Sequence, residues 1–144
     1  MAAEMLERVR MLEDKEEIRN LTQAYQQTLD DRDLRAFSKL FATGGTWTDG
    51  SNTATGPSAI YAMLNEMLPE NPPAPGATTW HFTNDPAIQV DGDRAIAFTL
   101  LMLVSRGEGN APLLSIFGSY QDKLIRENGR WRFLLRIATH LIPT

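Results

Sequence analysis

The side chains suited to acid–base chemistry are few: two histidines, no cysteine, and a run of aspartates at Asp30, Asp31 and Asp33. His81 lies between Trp80 and Phe82 at the opening of an apolar stretch. An imidazole changes charge near neutral pH and can take or give a proton, so His81 is a candidate general base. A histidine bonded to a neighbouring backbone group would occupy the same position. Asp30 falls one step from the stripe Ile18, Leu21, Tyr25 and Leu29, near the C-terminal end of a helix. A carboxylate there opposes the helix dipole and gains from a cationic partner. The aspartate cluster also reads as a solvated turn and helix cap.

Other polar candidates surround these two. Tyr25 can point inward from one turn before Leu29. Tyr120 and Asn84 offer a hydroxyl and an amide, with core packing and edge hydrogen bonding as their alternatives. Trp47, Trp80, Phe82, Phe98 and Met102 line an aromatic-binding cavity or else form plain core. Period-two counting puts Arg136 on one face with Arg132, opposite Trp131, Phe133 and Leu135. That face favours a salt bridge to Asp122 or Glu127 at the sheet surface. His140 reads as surface or interface. No His-x-x-x-His or His–Glu pairing marks a zinc or iron centre, so no metal is expected. Neither a Gly-rich phosphate loop nor a Gly-x-Ser-x-Gly elbow occurs, and no cofactor is implied.

The elements that must position these residues follow from periodicity. Asp14 and Glu17 have the spacing of a helix start, and the stripe from Ile18 to Leu29 follows. Met5, Val9 and Leu12 make an upstream stripe, an arm for the domain or a partner subunit. Leu34, Phe37, Leu40 and Phe41 form a short second helix, closed by Gly44-Gly45. Thr46 to Asp49 is a short strand. Pro57 opens a third helix buried through Ile60, Met63, Leu64 and Met67. Pro69 to Gly76 is a surface loop. Ala87–Val90 and Ala95–Val104 flank Asp91-Gly92-Asp93 as a hairpin, and Leu113–Ile125 and Trp131–Ile142 flank Glu127-Asn128-Gly129 as another. Helices first and a meander later mean an α+β fold, with helices on one face of a curved, mostly antiparallel sheet.

Composition sets the outer limits. The 144 residues suit one domain over the whole length, 1–144. A net charge of −4 argues against nucleic acid, whose phosphates demand clustered Lys and Arg. No stretch approaches the roughly 20 apolar residues of a spanning helix, so no membrane partner is expected. The charged N-terminus lacks a signal-peptide core, and a cytoplasmic location follows as the default. Ala95–Val104 and Leu113–Phe117 are apolar on both faces, more than three helices can cover. A homodimer through the outer sheet face is therefore expected, with a homotrimer as the alternative.

The order and spacing of several segments carry a resemblance. They are Tyr25 to Leu34, Leu40-Phe41-Ala42, Gly56 to Ile60, Trp80 to Asn84 and Val90 to Ala95. Gly118 to Asp122, Gly129 to Phe133 and Arg136 complete the set. Together they resemble the SnoaL-like, scytalone dehydratase-like group of the nuclear transport factor 2-like superfamily. The resemblance implies a cone-shaped α+β barrel with a pocket between the long helix and the sheet. It further implies a cofactor-independent dehydratase, cyclase or isomerase acting on a small, rather apolar molecule such as a polyketide, aromatic or steroid.

By the same resemblance, Asp30 and His81 match a catalytic aspartate–histidine pair, and Tyr25 or Asn84 would polarise a substrate oxygen. Arg136 matches an arginine that holds a carboxylate or enolate oxygen in similar proteins. Two departures stand out. Ser105 is the nearest match to a second histidine of scytalone dehydratase-type enzymes, and Leu29 replaces a tyrosine. They leave open a non-catalytic module that binds a small ligand, or a small subunit of an oxygenase.

Overall fold

Ile18, Leu21, Tyr25 and Leu29 recur at helical spacing and all are buried, so one stripe of the first helix, α1 (Ala2–Asp30), packs into the core. The computed structural model describes residues 1–68 and 79–143; the expected loop from Pro69 to Gly76 lies outside them. Two shorter helices follow, α2 (Leu34–Ser38) and α3 (Pro57–Met67). Asp33 caps α2 by accepting from the Ala36 N–H at 3.2 Å.

Among the described residues there are seven strands: β1 (Phe41–Thr48), β2 (Thr53–Thr55), β3 (Trp80–Thr83), β4 (Ala87–Asp91), β5 (Arg94–Arg106), β6 (Pro112–Glu127) and β7 (Arg130–Ile142). They form one sheet in the order β2-β1-β7-β6-β5-β3, with β4 also paired to β5. All pairs are antiparallel except β1 with β7. The three helices pack on one face of this curved sheet, which stays unclosed. The expected cone is thus an open one, with β2 at one edge and β3 and β4 sharing the other.

Two local expectations are corrected. Asp14 is no helix cap, because α1 runs unbroken from Ala2 and Asp14 is buried within it. Its carboxylate accepts from Trp131 Nε1 at 3.1 Å and pairs with Arg126 at 2.9 Å. Glu17, one turn on, accepts from the Trp131 N–H at 3.4 Å. A spacing that mimics a capping box serves here to latch α1 onto the turn between β6 and β7. The upstream residues Met5, Val9 and Leu12 stay exposed on the helical extension. Gly44 and Gly45 likewise lie inside β1 rather than ending a helix. A Cβ at Gly45 would meet the Phe133 carbonyl at 2.5 Å, so the close approach of β1 to β7 demands glycine.

The latch has a measurable consequence. Asp14→Ala leaves the buried indole N–H of Trp131 without its acceptor and frees one of the two carboxylates on Arg126. Urea denaturation followed by far-UV circular dichroism should show a loss of about 1–3 kcal/mol. A cap at that position would give a loss of helix signal at its N-terminus instead.

Candidate active site

Cross-strand register sorts the candidate residues onto two faces. His81 pairs with Leu103 and Thr83 with Leu101, while Leu101, Ala97 and Ala95 face the helices as core. His81 and Thr83 therefore point to the helix-covered, concave face. Trp80 and Phe82 alternate with them and point outward, 43% and 65% exposed. The Arg106 guanidinium lies 5.5 Å from the Trp80 ring.

Where α1 ends, it meets β3. The Asp30 carboxylate lies 2.6 Å from His81 Nδ1 and also accepts the backbone N–H of His81, at 3.0 and 3.2 Å. One carboxylate thus holds both the main chain and the ring of the same residue. A carboxylate only accepts, so the neutral ring carries its proton on Nδ1 and presents a lone pair on Nε2. Both side chains are about 15% exposed (14% for His81, 15% for Asp30), sheltered yet open on one side. One turn earlier, Gln26 Oε1 accepts from Thr83 Oγ1 at 3.1 Å. Gln26 and Asp30 are four apart on the helix, and Thr83 and His81 two apart on the strand. The two contacts make a short ladder that fixes edge strand β3 against α1. The helical and strand periods carry the signal for Gln26 and Thr83, which the sequence reading did not single out.

A second polar group lies deeper. Arg136 and Asp122 are cross-strand partners joined by two hydrogen bonds of 2.8 and 2.9 Å, and both are buried. The expected surface position of Arg136 is corrected here. The register shifts between Lys123 and Leu124, so Leu134 is an extra residue in β7 and the face count slips by one. Arg136 thereby joins Trp131 and Phe133 inside instead of Arg132 outside. Its guanidinium stacks at 3.8 Å from the Tyr120 ring centroid, 4.2 Å from Tyr25 and 4.4 Å from Phe133. Burial opposes the charge, but the adjacent Asp122 carboxylate outweighs it and holds Arg136 above its ordinary value. Trp47 Nε1 donates to the Tyr25 hydroxyl at 2.9 Å.

Tyr25, Trp47, Tyr120 and Arg136 are therefore gathered in one buried cluster, while Asp30 and His81 meet at its rim. The remaining candidates stand apart. Asn84 is exposed, and its Oδ1 accepts from the Leu100 N–H at 2.9 Å, which ends β3 against β5. Phe98 and Met102 alternate with the core residues of β5 and face outward. Ser105 Oγ lies 3.2 Å from Ser115 Oγ. Among the described residues, no group of three or more His, Cys, Asp or Glu side chains could hold a metal ion. No helix among them is long and apolar enough to cross a membrane.

The chain belongs to the SnoaL-like domain family, which matches residues 10–137. An NTF2-like protein with a cystatin-like fold from Novosphingobium aromaticivorans is 26% identical, with a TM-score of 0.84 over 97% of this chain and 90% of that one. ActVI-ORFA from Streptomyces coelicolor shares the fold at 19% identity and a TM-score of 0.74, over 87% and 95% of the two chains. So does a protein from Catenulispora acidiphila in complex with S-DNPA, at 21% identity and 0.70, over 86% and 90%. Among curated proteins, none matches.

Burial in this SnoaL-like core pushes the Tyr25 hydroxyl above its ordinary value and the Tyr120 hydroxyl well above it, with Tyr25 adding to the rise at Tyr120. Above about pH 10 an unfolded tyrosine loses its proton while these two keep theirs. The folded state then binds more protons, so stability falls as pH rises beyond that point. Urea denaturation between pH 8 and 11 should show this fall, at about 1.4 kcal/mol per pH unit for each tyrosine. Tyr120→Phe should remove its share of the slope.

Proposed function

We propose that this SnoaL-like protein is a cofactor-independent lyase, cyclase or isomerase that abstracts a carbon-bound proton from a small, rather apolar molecule. The observation that carries the reading is the 2.6 Å contact between Asp30 and His81 Nδ1. It leaves His81 Nε2 as the free base. In a dehydration, Nε2 takes the proton from a carbon next to a carbonyl. The C–H electron pair forms the new double bond as the hydroxyl leaves, and the imidazolium returns its proton to that hydroxyl as water. Asp30 acts through the ring, holding its tautomer and stabilising the imidazolium. The deeper aromatic cluster supports a ring-bearing substrate. The Catenulispora acidiphila protein, which shares the fold, is in complex with a small molecule, S-DNPA, and this supports a small-molecule ligand here.

A specific observation favours a second reading, a ligand-holding module without turnover. Tyr25 is engaged by Trp47 and Arg136 by Asp122, so two of the polar groups suited to polarising a substrate are already partnered. Two measurements separate the readings. Nitrogen-15 NMR of the imidazoles, assigned with His140→Gln, should show His81 as the Nδ1–H tautomer in the wild type and lose that preference in Asp30→Ala. A panel of aromatic β-hydroxy ketones is then scored for loss of water. His81→Ala should lower any turnover found by about 10²–10⁴-fold. Full turnover in that variant would end the assignment.

The outer sheet face supports self-association. Ile96, Phe98, Leu135 and Ile137 border an open, mostly apolar depression there, whose lining also includes Lys123 and Asp122. We propose that a second copy covers it. Light scattering after size exclusion should return twice the chain mass, and Phe98→Glu should return the single chain mass.

A further inference from the structure

The first helix carries two apolar stripes, and they point in opposite directions. Met5, Val9 and Leu12 each lie nine positions before a buried residue of α1, namely Asp14, Ile18 and Leu21. Nine residues make about two and a half turns, so the upstream stripe faces away from the core. Its three side chains are accordingly 60%, 44% and 66% exposed. On its other side the same arm turns Glu4, Glu7 and Met11 toward the hairpin turns at Gly92 and Gly129, across a charged cleft. Among the described residues, nothing in its own domain covers the stripe. A helical arm of this length is marginal in water by itself, and an apolar stripe along it calls for a cover.

The outer sheet face offers the matching shape. The depression bordered by Ile96 and Phe98 has a volume of about 600 Å³. A second, of about 350 Å³, adjoins it and shares Gln89, Ile96 and Lys123. Together they follow β4 from Asp91 to Ala87, about 13 Å of strand. The stripe from Met5 to Leu12 is about 10 Å long. Charge matches as well. Arg8 and Glu13 stand on opposite flanks of the stripe, while Asp91 and Lys123 belong to the lining of the trench. All four are exposed, and among the described residues none is in a salt bridge of its own chain.

We propose that the arm of one copy, residues 2–13, lies in the outer trench of a second copy, which returns its own arm in exchange. A reciprocal exchange closes about a two-fold axis, so both stripes and both trenches are covered and no open end remains. The inference rests on the reading that a second copy covers the outer sheet face, and it names the segment that does the covering.

Light scattering after size exclusion tests the two surfaces separately. Leu12→Glu and Phe98→Glu should each return the single chain mass while keeping the far-UV circular dichroism of the folded domain, since both side chains are exposed. Charge reversal tests the match between the surfaces. Glu13→Lys and Lys123→Glu should each weaken the dimer about 2- to 30-fold, with two such pairs per dimer, and the two together should restore it. A dimer that survives Leu12→Glu but not Phe98→Glu overturns the exchange and leaves sheet-on-sheet packing. One that survives Phe98→Glu but not Leu12→Glu overturns it in favour of arms paired with each other. Failure of the double reversal to rescue the single variants overturns it too. A wild-type monomer overturns it together with the reading on which it rests.

Discussion

The buried pair of Arg136 and Asp122 constrains more of this fold than any other contact. Two charges taken out of water are tolerated only with near-ideal geometry, and here both bonds of the guanidinium–carboxylate fork are short. The pair pins β6 to β7 in one register. It also dictates what may lie above the guanidinium, since three aromatic rings cover it. One of those rings is Tyr25 of α1, held from the other side by Trp47 of β1. The helix is therefore seated by its C-terminal half on a charge inside the sheet. Asp14, near the middle of α1, and Asp30, at its end, then fall where polar contacts await them: Asp14 on Trp131 and Arg126, and Asp30 on His81.

The seating of α1 explains how a four-residue edge strand can hold the proposed base in place. Among the described residues, β3 has a single strand neighbour, β5, along Trp80–Thr83. Edge strands of that length are weakly held by their ladder alone. Asp30 adds bonds to the His81 main chain as well as to its ring, and Gln26 adds one to Thr83. The ring's orientation is consequently set by the helix. A base whose lone pair must meet a substrate proton within hydrogen-bond reach benefits from that rigidity.

Much of this was legible in the sequence, and the exceptions share a physical cause. The α1 stripe, the cap at Asp33 and both long hairpins follow from local periodicity and turn chemistry, which act over a few residues. The proximity of Asp30 and His81, fifty-one positions apart, was legible only through the family resemblance. A plain period-two count puts Arg136 on the wrong face because one extra residue at Leu134 shifts every later side chain, and a bulge leaves no mark in alternation alone. Asp14 looked like a cap because the same acidic spacing serves a cap and a tertiary latch equally well. Gly44-Gly45 looked like a helix stop, whereas the need at Gly45 is a neighbouring carbonyl contributed by a distant strand. Trp80 and Phe98 resembled pocket residues by type, yet alternation from His81 and Ala97 sends them outward.

The distribution of polar groups on the concave face has a final implication for chemistry. Inside, the ion pair and the Trp47–Tyr25 bond are matched donor to acceptor, and they shape a wall more than they offer a hand to a ligand. At the rim, Asp30 and His81 satisfy each other on one side only and leave Nε2 unengaged by them. The buried pair that joins β6 to β7 is thus distinct from the rim pair proposed to move a proton. A fold divided in this way can change its substrate by altering side chains near the rim while the core pair stays intact. That separation is a physical reason for one architecture to serve many small molecules.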